Sequence, residues 1–129
     1  MKKFMTIMAL MVTIVTSAAA MTFNEAREHA LFLTDKMAYE LGLSSAQLNN
    51  VYEINLDFVI GVAIQGERPS VCQSRRDADM RFVLSDYQYH LYKKTNYFDR
   101  PMSNSRNVWS FTIYNYYTDR HHMYSSRPS

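Results

Sequence analysis

Leu43-Ser44-Ser45-Ala46-Gln47-Leu48 returns 41 residues later as Leu84-Ser85-Asp86-Tyr87-Gln88-Tyr89. Both copies read Leu-Ser-x-x-Gln followed by an apolar residue. A serine at the start of a helix accepts a hydrogen bond from the amide three residues on, and a glutamine there reaches back to the serine's own N–H. The leucine before each serine is placed to pack on the apolar residue that follows the glutamine, which fixes the angle of entry. Each copy therefore marks a helix that begins almost as soon as its predecessor ends.

The chain on either side fits this reading. Thr22-x-x-Glu25 is a capping box that opens a first helix, and Phe23, Ala26, Ala30, Leu33, Met37 and Leu41 lay one apolar stripe along it. Gly42 follows at the position where a left-handed residue ends a helix at least cost. A second helix carries Leu48, Val51, Tyr52, Asn55, Phe58 or Val59, and Val62 on one face, until Gly66-Glu67-Arg68-Pro69 stops it. Ser70-x-x-Gln73 is a weaker box for a third helix over about Val71–Leu84, strongly charged, with Val71, Ala78, Met80, Phe82 and Val83 to bury. The fourth starts after Ser85, uses Leu91, Tyr92 and Phe98, and ends before Pro101. At the repeat offset Asn55 matches Asn96.

The predicted fold is all-α: four helices in two antiparallel hairpins, short connections making each pair neighbours. They close into a bundle or form an open, cradle-like layer, and the charge on the third helix argues for the layer. From Asp99 the texture changes. Pro101-Met102-Ser103-Asn104-Ser105 reads as a turn-rich linker. Trp109, Phe111 and Ile113 then alternate with polar or hydroxyl-bearing neighbours, which favours an extended segment or single strand, although Trp109, Ile113 and Tyr116 also fall at helical spacing. Residues 1–20 are expected to be a cleaved signal peptide, residues 21–98 the helical domain, and residues 99–129 a Tyr-rich extension with a loose end at Ser125–Ser129.

The leader expectation rests on Lys2 and Lys3, an apolar run from Phe4 to Val15, and Ala18 and Ala20 at the cleavage-site positions. That run is shorter than the roughly 20 apolar residues of a membrane span, so no stable span is expected after cleavage. The whole chain holds 14 Lys and Arg against 12 Asp and Glu. Losing Lys2 and Lys3 leaves a formally neutral mature chain, with no global charge to favour nucleic acid or an anionic membrane. Cys72, the only cysteine, cannot form an intrachain disulfide. Arg75 and Arg76 nearby would favour a thiolate, and a small packing residue is the plainer reading.

No catalytic constellation is legible: there is no Gly-rich phosphate loop, no Gly-x-Ser-x-Gly and no His-Glu-x-x-His. An enzyme is the least supported class, and no cofactor is expected. Asp119, His121 and His122 are weak metal candidates, since adjacent histidines point apart on a helix or strand. The ten tyrosines suit an interface, because each ring offers amphipathic area at low entropic cost. They equally suit packing of the tail onto the helices.

With signal, helix pairs and doubled motif in place, the chain resembles the LTxxQ-motif periplasmic proteins, the Spy/CpxP family. The resemblance covers roughly residues 22–98 and rests on Leu43, Ser44, Gln47, Leu84, Ser85 and Gln88, with serine where that family usually has threonine. It implies small, helical, cradle-shaped homodimers in the periplasm. It further implies ATP-independent chaperoning of unfolded envelope proteins, inhibition of the periplasmic domain of an envelope-stress sensor kinase, or, in some relatives, metal sensing. The neutral mature charge and the Tyr-rich tail depart from that pattern. The expected function is an exported chaperone-like protein holding unfolded or extended polypeptide clients, with Arg75, Arg76, Arg81, Tyr87, Tyr89 and Tyr92 as candidate client contacts. The alternatives are a regulator of a sensor kinase and a metal-binding stress protein.

Overall fold

The computed structural model describes residues 21–124, so the expected signal peptide and loose C-terminal end lie outside the described residues. The protein is mostly helical, with one small sheet. The elements are α1 (Phe23–Leu41), α2 (Ser45–Ala63), α3 (Pro69–Val83), α4 (Asp86–Lys94), α5 (Asn96–Asp99), β1 (Met102–Ser105), β2 (Val108–Phe111) and a 3-10 turn (Thr112–Asn115). α2 lies in the middle, packed along α1 and along α3. α4 touches both α1 and α3, and α5 meets the 3-10 turn. None of the described helices is long and apolar enough to cross a membrane.

Three complete capping boxes start α1, α2 and α4, built by Thr22/Glu25, Ser44/Gln47 and Ser85/Gln88. Gly42 ends α1 at φ 69°, where only glycine is unstrained, and its N–H bonds the Ala38 carbonyl. The box expected at Ser70/Gln73 does not form. α3 begins two residues earlier than expected: Arg68 takes the cap position with no side-chain bond and Pro69 fills the first turn, where its missing N–H costs nothing.

The two glutamines do more than close their own boxes. Each Oε1 accepts from its serine's N–H at 2.9 Å, and the amide groups also face each other. Gln47 Nε2 donates to Gln88 Oε1 at 2.7 Å, and Gln88 Nε2 donates back to Gln47 Oε1 at 3.2 Å. The same nitrogens reach carbonyls at the ends of other helices: Gln47 bonds Val83 O at 3.0 Å, and Gln88 bonds Leu41 O and Gly42 O, each at 3.3 Å. Helix C-termini leave carbonyls without intrahelical partners. The α2 start thus satisfies the α3 end, and the α4 start satisfies the α1 end.

Glutamate closes a capping box as well as glutamine, as Glu25 does in α1, but only glutamine carries the N–H that this clasp needs. Gln47→Glu should therefore cost about 1–2 kcal/mol although the box itself survives. Alanine at both positions should show a coupling of about 1 kcal/mol in a urea-denaturation double-mutant cycle. Strictly additive losses would mean that the two boxes act separately.

The core joins one stripe from each helix. Ala26, Leu33, Met37, Val51, Phe58, Val59, Val62, Cys72, Met80, Tyr92 and Phe98 form one cluster with Phe111 and Ile113 from the tail. Phe32 through Ala38 are all buried, nearly two full turns of α1. A helix buried around its whole circumference needs cover on every side. α2 supplies one side, and the segment after β2 supplies another.

That segment is more ordered than a linker and a single strand. Met102–Ser105, expected as a turn, is β1, paired antiparallel with β2 so that Met102 faces Phe111 and Ser105 faces Val108. Arg106 and Asn107 make the two-residue connection at φ 54° and 65°, the left-handed pair that matches the twist of a hairpin. The 41-residue repeat fades beyond the boxes: Asn55 is buried in α2, whereas Asn96 is exposed at the start of α5.

Candidate binding surface

α2 carries Asn50, Glu53, Ile54 and Asp57 at steps that share one helical face. α3 carries Asp79, Phe82 and Val83 in the same relation. These residues line an open groove of about 520 Å³ between the two helices. Ile54 and Val83 are half-buried against the core, and Glu53, Asp57 and Asp79 supply three carboxylates around them. Phe82 was expected inside, yet it is 94% exposed. The buried stripe of α3 runs through Cys72, Arg76 and Met80, and a residue two places beyond Met80 lies about 200° around the helix, on the opposite side. Val71 and Ala78 are exposed for the same reason.

The expected client contacts separate into two groups. Arg76 and Tyr92 are fully buried, so neither can meet a client. Arg76 Nε and Nη2 donate to Asn55 Oδ1 at 3.1 and 2.9 Å, and Nη1 donates to Phe98 O at 2.7 Å. Its guanidinium carbon lies 5.1 Å from the ring centres of both Phe58 and Tyr92, within cation–π range. Burial lowers the Arg76 pKa from its ordinary value, while Tyr92, Asp77 and Asp99 act against that fall. The Tyr92 hydroxyl donates to Asp77 Oδ1 at 2.8 Å, and burial raises its pKa well above the ordinary phenol value. The network is structural.

The other candidates remain at the surface. Arg75 pairs with Glu67 at 3.2 Å and lies 3.7 Å from Asp57. Arg81 sits over the half-buried Tyr89 ring at 4.7 Å, and Tyr87 is exposed. The Cys72 thiol is buried, and its pKa is raised by burial first and by Glu67 next, against the pull of Arg75. A thiolate is therefore disfavoured despite the nearby arginines, and the burial of Cys72 fits its plainer reading as a small packing residue.

The tail tyrosines are committed to packing. Lys36 on α1 is fully buried; its Nζ donates to Asp35 Oδ2 and to His122 O, each at 2.7 Å. The same Nζ lies 4.2, 4.5 and 5.3 Å from the ring centres of Tyr124, Phe32 and Tyr117. Tyr124 N donates to Asp35 Oδ2 at 2.9 Å. Glu40 accepts from the hydroxyls of Tyr97 and Tyr117, and burial, the Glu40 bond and its charge push the Tyr97 pKa up to about 12. Tyr124 also stacks on Tyr39 at 4.5 Å. Phe32, Tyr97 and Tyr117 belong to a seam between the tail and the helices, while Tyr39, Tyr116 and Tyr124 stay largely exposed.

His29 closes the other end of the seam. It stacks on Phe111 at 4.1 Å, and its Nδ1 is 2.7 Å from the Tyr114 hydroxyl. Burial lowers its pKa below 6.5; Glu25 and Glu28 oppose the shift and Arg120 adds to it. Between the lowered folded value and the unfolded value the unfolded chain binds more protons, so stability there rises with pH. The contribution of neutral His29 is complete above about pH 6.5 and is lost as pH falls through the folded value. Denaturation midpoints followed from about pH 7.5 to about pH 5 should fall more steeply for the natural chain than for His29→Gln. Parallel curves would remove His29 from the account.

Asp119, His121 and His122 do not assemble. Asp119 Oδ1 accepts from the His121 backbone N–H at 3.0 Å, while the His122 ring meets Tyr124 edge-on at 4.3 Å. Among the described residues no three His, Cys, Asp or Glu side chains converge in a way that could hold a metal ion. The groove acids form no catalytic or metal-binding spacing along the chain, because they meet only when α2 packs against α3. The signal was nevertheless available in the helical spacing of Asn50, Glu53, Ile54 and Asp57.

No protein-family model matches this chain, and searches of curated proteins and of solved structures likewise gave no match.

Proposed function

We propose that this protein is an exported, ATP-independent chaperone-like binding protein that holds unfolded polypeptide. In this reading α1 with α2, and α3 with α4 and α5, form two antiparallel hairpins. The Gln47–Gln88 clasp joins their turns, in a periplasmic molecule that works as a homodimer. The reading draws on the resemblance carried by the two Leu-Ser-x-x-Gln motifs, both of which cap helices. The observation that carries it is Phe82: a large apolar ring left almost wholly in water beside an apolar-floored groove. An exposed aromatic of this kind is placed to meet apolar side chains of another chain.

The client set differs from the one expected at first. Phe82, Ile54 and Val83 replace the buried Arg76 and Tyr92, while Arg75, Arg81, Tyr87 and Tyr89 remain candidates on the surface of α3 and α4. The protein should suppress light scattering from a chemically denatured substrate protein without ATP, and Phe82→Ser should remove most of that effect. No suppression at several-fold excess would overturn the proposal. Capture of one stoichiometric partner from envelope extracts, in place of a diffuse set, would move the assignment to a regulator of a sensor kinase.

A further inference from the structure

We infer that the groove between α2 and α3 selects polypeptide segments that combine basic and apolar residues. The inference rests on the proposed holding function and specifies its client. The floor, Ile54 and Val83 with the Phe82 ring beside it, can bury apolar side chains of a guest, and a volume of about 520 Å³ lies within the usual range for clefts that enclose a ligand. The rim is acidic on both sides: Glu53 and Asp57 project from α2, and Asp79 from α3. Among the described residues Glu53 and Asp79 take part in no ion pair. Asp57 has only Arg75, at 3.7 Å, and that arginine lies closer to Glu67, at 3.2 Å.

A guest bearing lysine or arginine beside its apolar residues would meet carboxylates that the fold leaves unpaired. A guest bearing aspartate or glutamate would bring like charges together around an apolar contact. Complementary charge of this kind governs the choice of partner and the rate of encounter more than total affinity. The formally neutral chain conceals this, because part of its cationic charge is spent away from the groove. Arg76 and Lys36 are buried, and Lys93 is tied to Asp77 and Asp99.

The experiment uses three fluorescent peptides with the same apolar residues and with Lys, Gln or Glu at the polar positions. At low salt the Lys peptide should bind about tenfold more tightly than the Glu peptide, the sum of a few weak exposed charge contacts. The margin should shrink to about twofold near 0.5 M salt, where screening is short-ranged. The exposed pair of substitutions Glu53→Gln/Asp79→Asn should remove most of the Lys peptide's advantage over the Gln peptide, leaving only what Asp57 supplies, and Phe82→Ser should weaken all three. Equal binding of the three peptides, or a Lys preference undiminished in Glu53→Gln/Asp79→Asn, would overturn the inference. Neither result touches the holding function, which fails separately if denatured protein aggregates unprotected. Sedimentation of Phe82→Ser closes the remaining route: if the natural chain self-associates through Phe82 and binds no peptide, the groove is a contact between copies and the inference is wrong.

Discussion

Arg76→Met should destabilise the whole protein by about 3 kcal/mol, because it strands buried acceptors on two other helices. Asn55 Oδ1 would lose both of its donors and Phe98 O its 2.7 Å bond. Methionine fills much of the same volume, so the loss would measure hydrogen bonding more than packing. Asn55 cannot simply turn over, because its Nδ2 already donates to Thr34 Oγ1 at 3.0 Å and to Met37 Sδ at 3.4 Å. The chain of contacts runs through α1, α2, α3 and α5, so its loss should be felt globally.

Lysine at position 76 should rescue little. A single ammonium cannot reproduce a planar fork that reaches Asn55 on one side and the Phe98 carbonyl on the other. Combining Arg76→Met with Asn55→Leu should cost less than the sum of the two changes, since the second removes an acceptor orphaned by the first. Urea midpoints at unchanged slope provide the measurement. A loss below about 1 kcal/mol for Arg76→Met would mean that water or side-chain rearrangement takes over the bonds.

The second large effect is expected at Lys36, and it should be local in character. Lys36→Met leaves Asp35 buried without its ammonium partner and frees the His122 carbonyl. Removing one member of a buried pair typically costs about 3–5 kcal/mol. Here the chain has a cheaper escape. The segment from Tyr114 to Tyr124 is held to α1 through Lys36, Asp35, Glu40 and His29, and it can lift away while the helices stay folded. Partial opening of this kind limits the global cost.

Hydrogen exchange should therefore show protection lost over residues 114–124 in Lys36→Met, with α2 and α3 little changed. Arg76→Met should instead lower protection everywhere. Uniform loss in both variants would show that the tail and the helices unfold as one unit. Full tail protection in Lys36→Met would show that the aromatic contacts suffice without the ammonium.

Features fixed by neighbours in sequence were legible in the sequence. Thr22/Glu25, Ser44/Gln47 and Ser85/Gln88 cap helices because each box closes within four residues, and Gly42 ends α1 because one φ value suffices. The stripe of α2, and that of α1 from Ala26 to Leu41, followed from periodicity alone, whereas Phe23, expected in the α1 stripe, is 55% exposed. Ser70 misled: the local pattern was present, but Pro69, equally local, is better suited to the first turn and moved the helix start.

The packing decided everything that depends on which surface meets which. Arg76 read as an exposed cation and Phe82 as a core residue, yet the angle at which α3 lies on α2 exchanges their places. The polarity of α3 gave no stripe clear enough to set that rotation. The second buried face of α1, with Lys36 and Asp35 in it, exists only because a segment some 80–90 residues away folds over it. Gln47 and Gln88 each had a legible local task. Their bonds to each other span 41 residues, and no periodicity encodes a contact at that range.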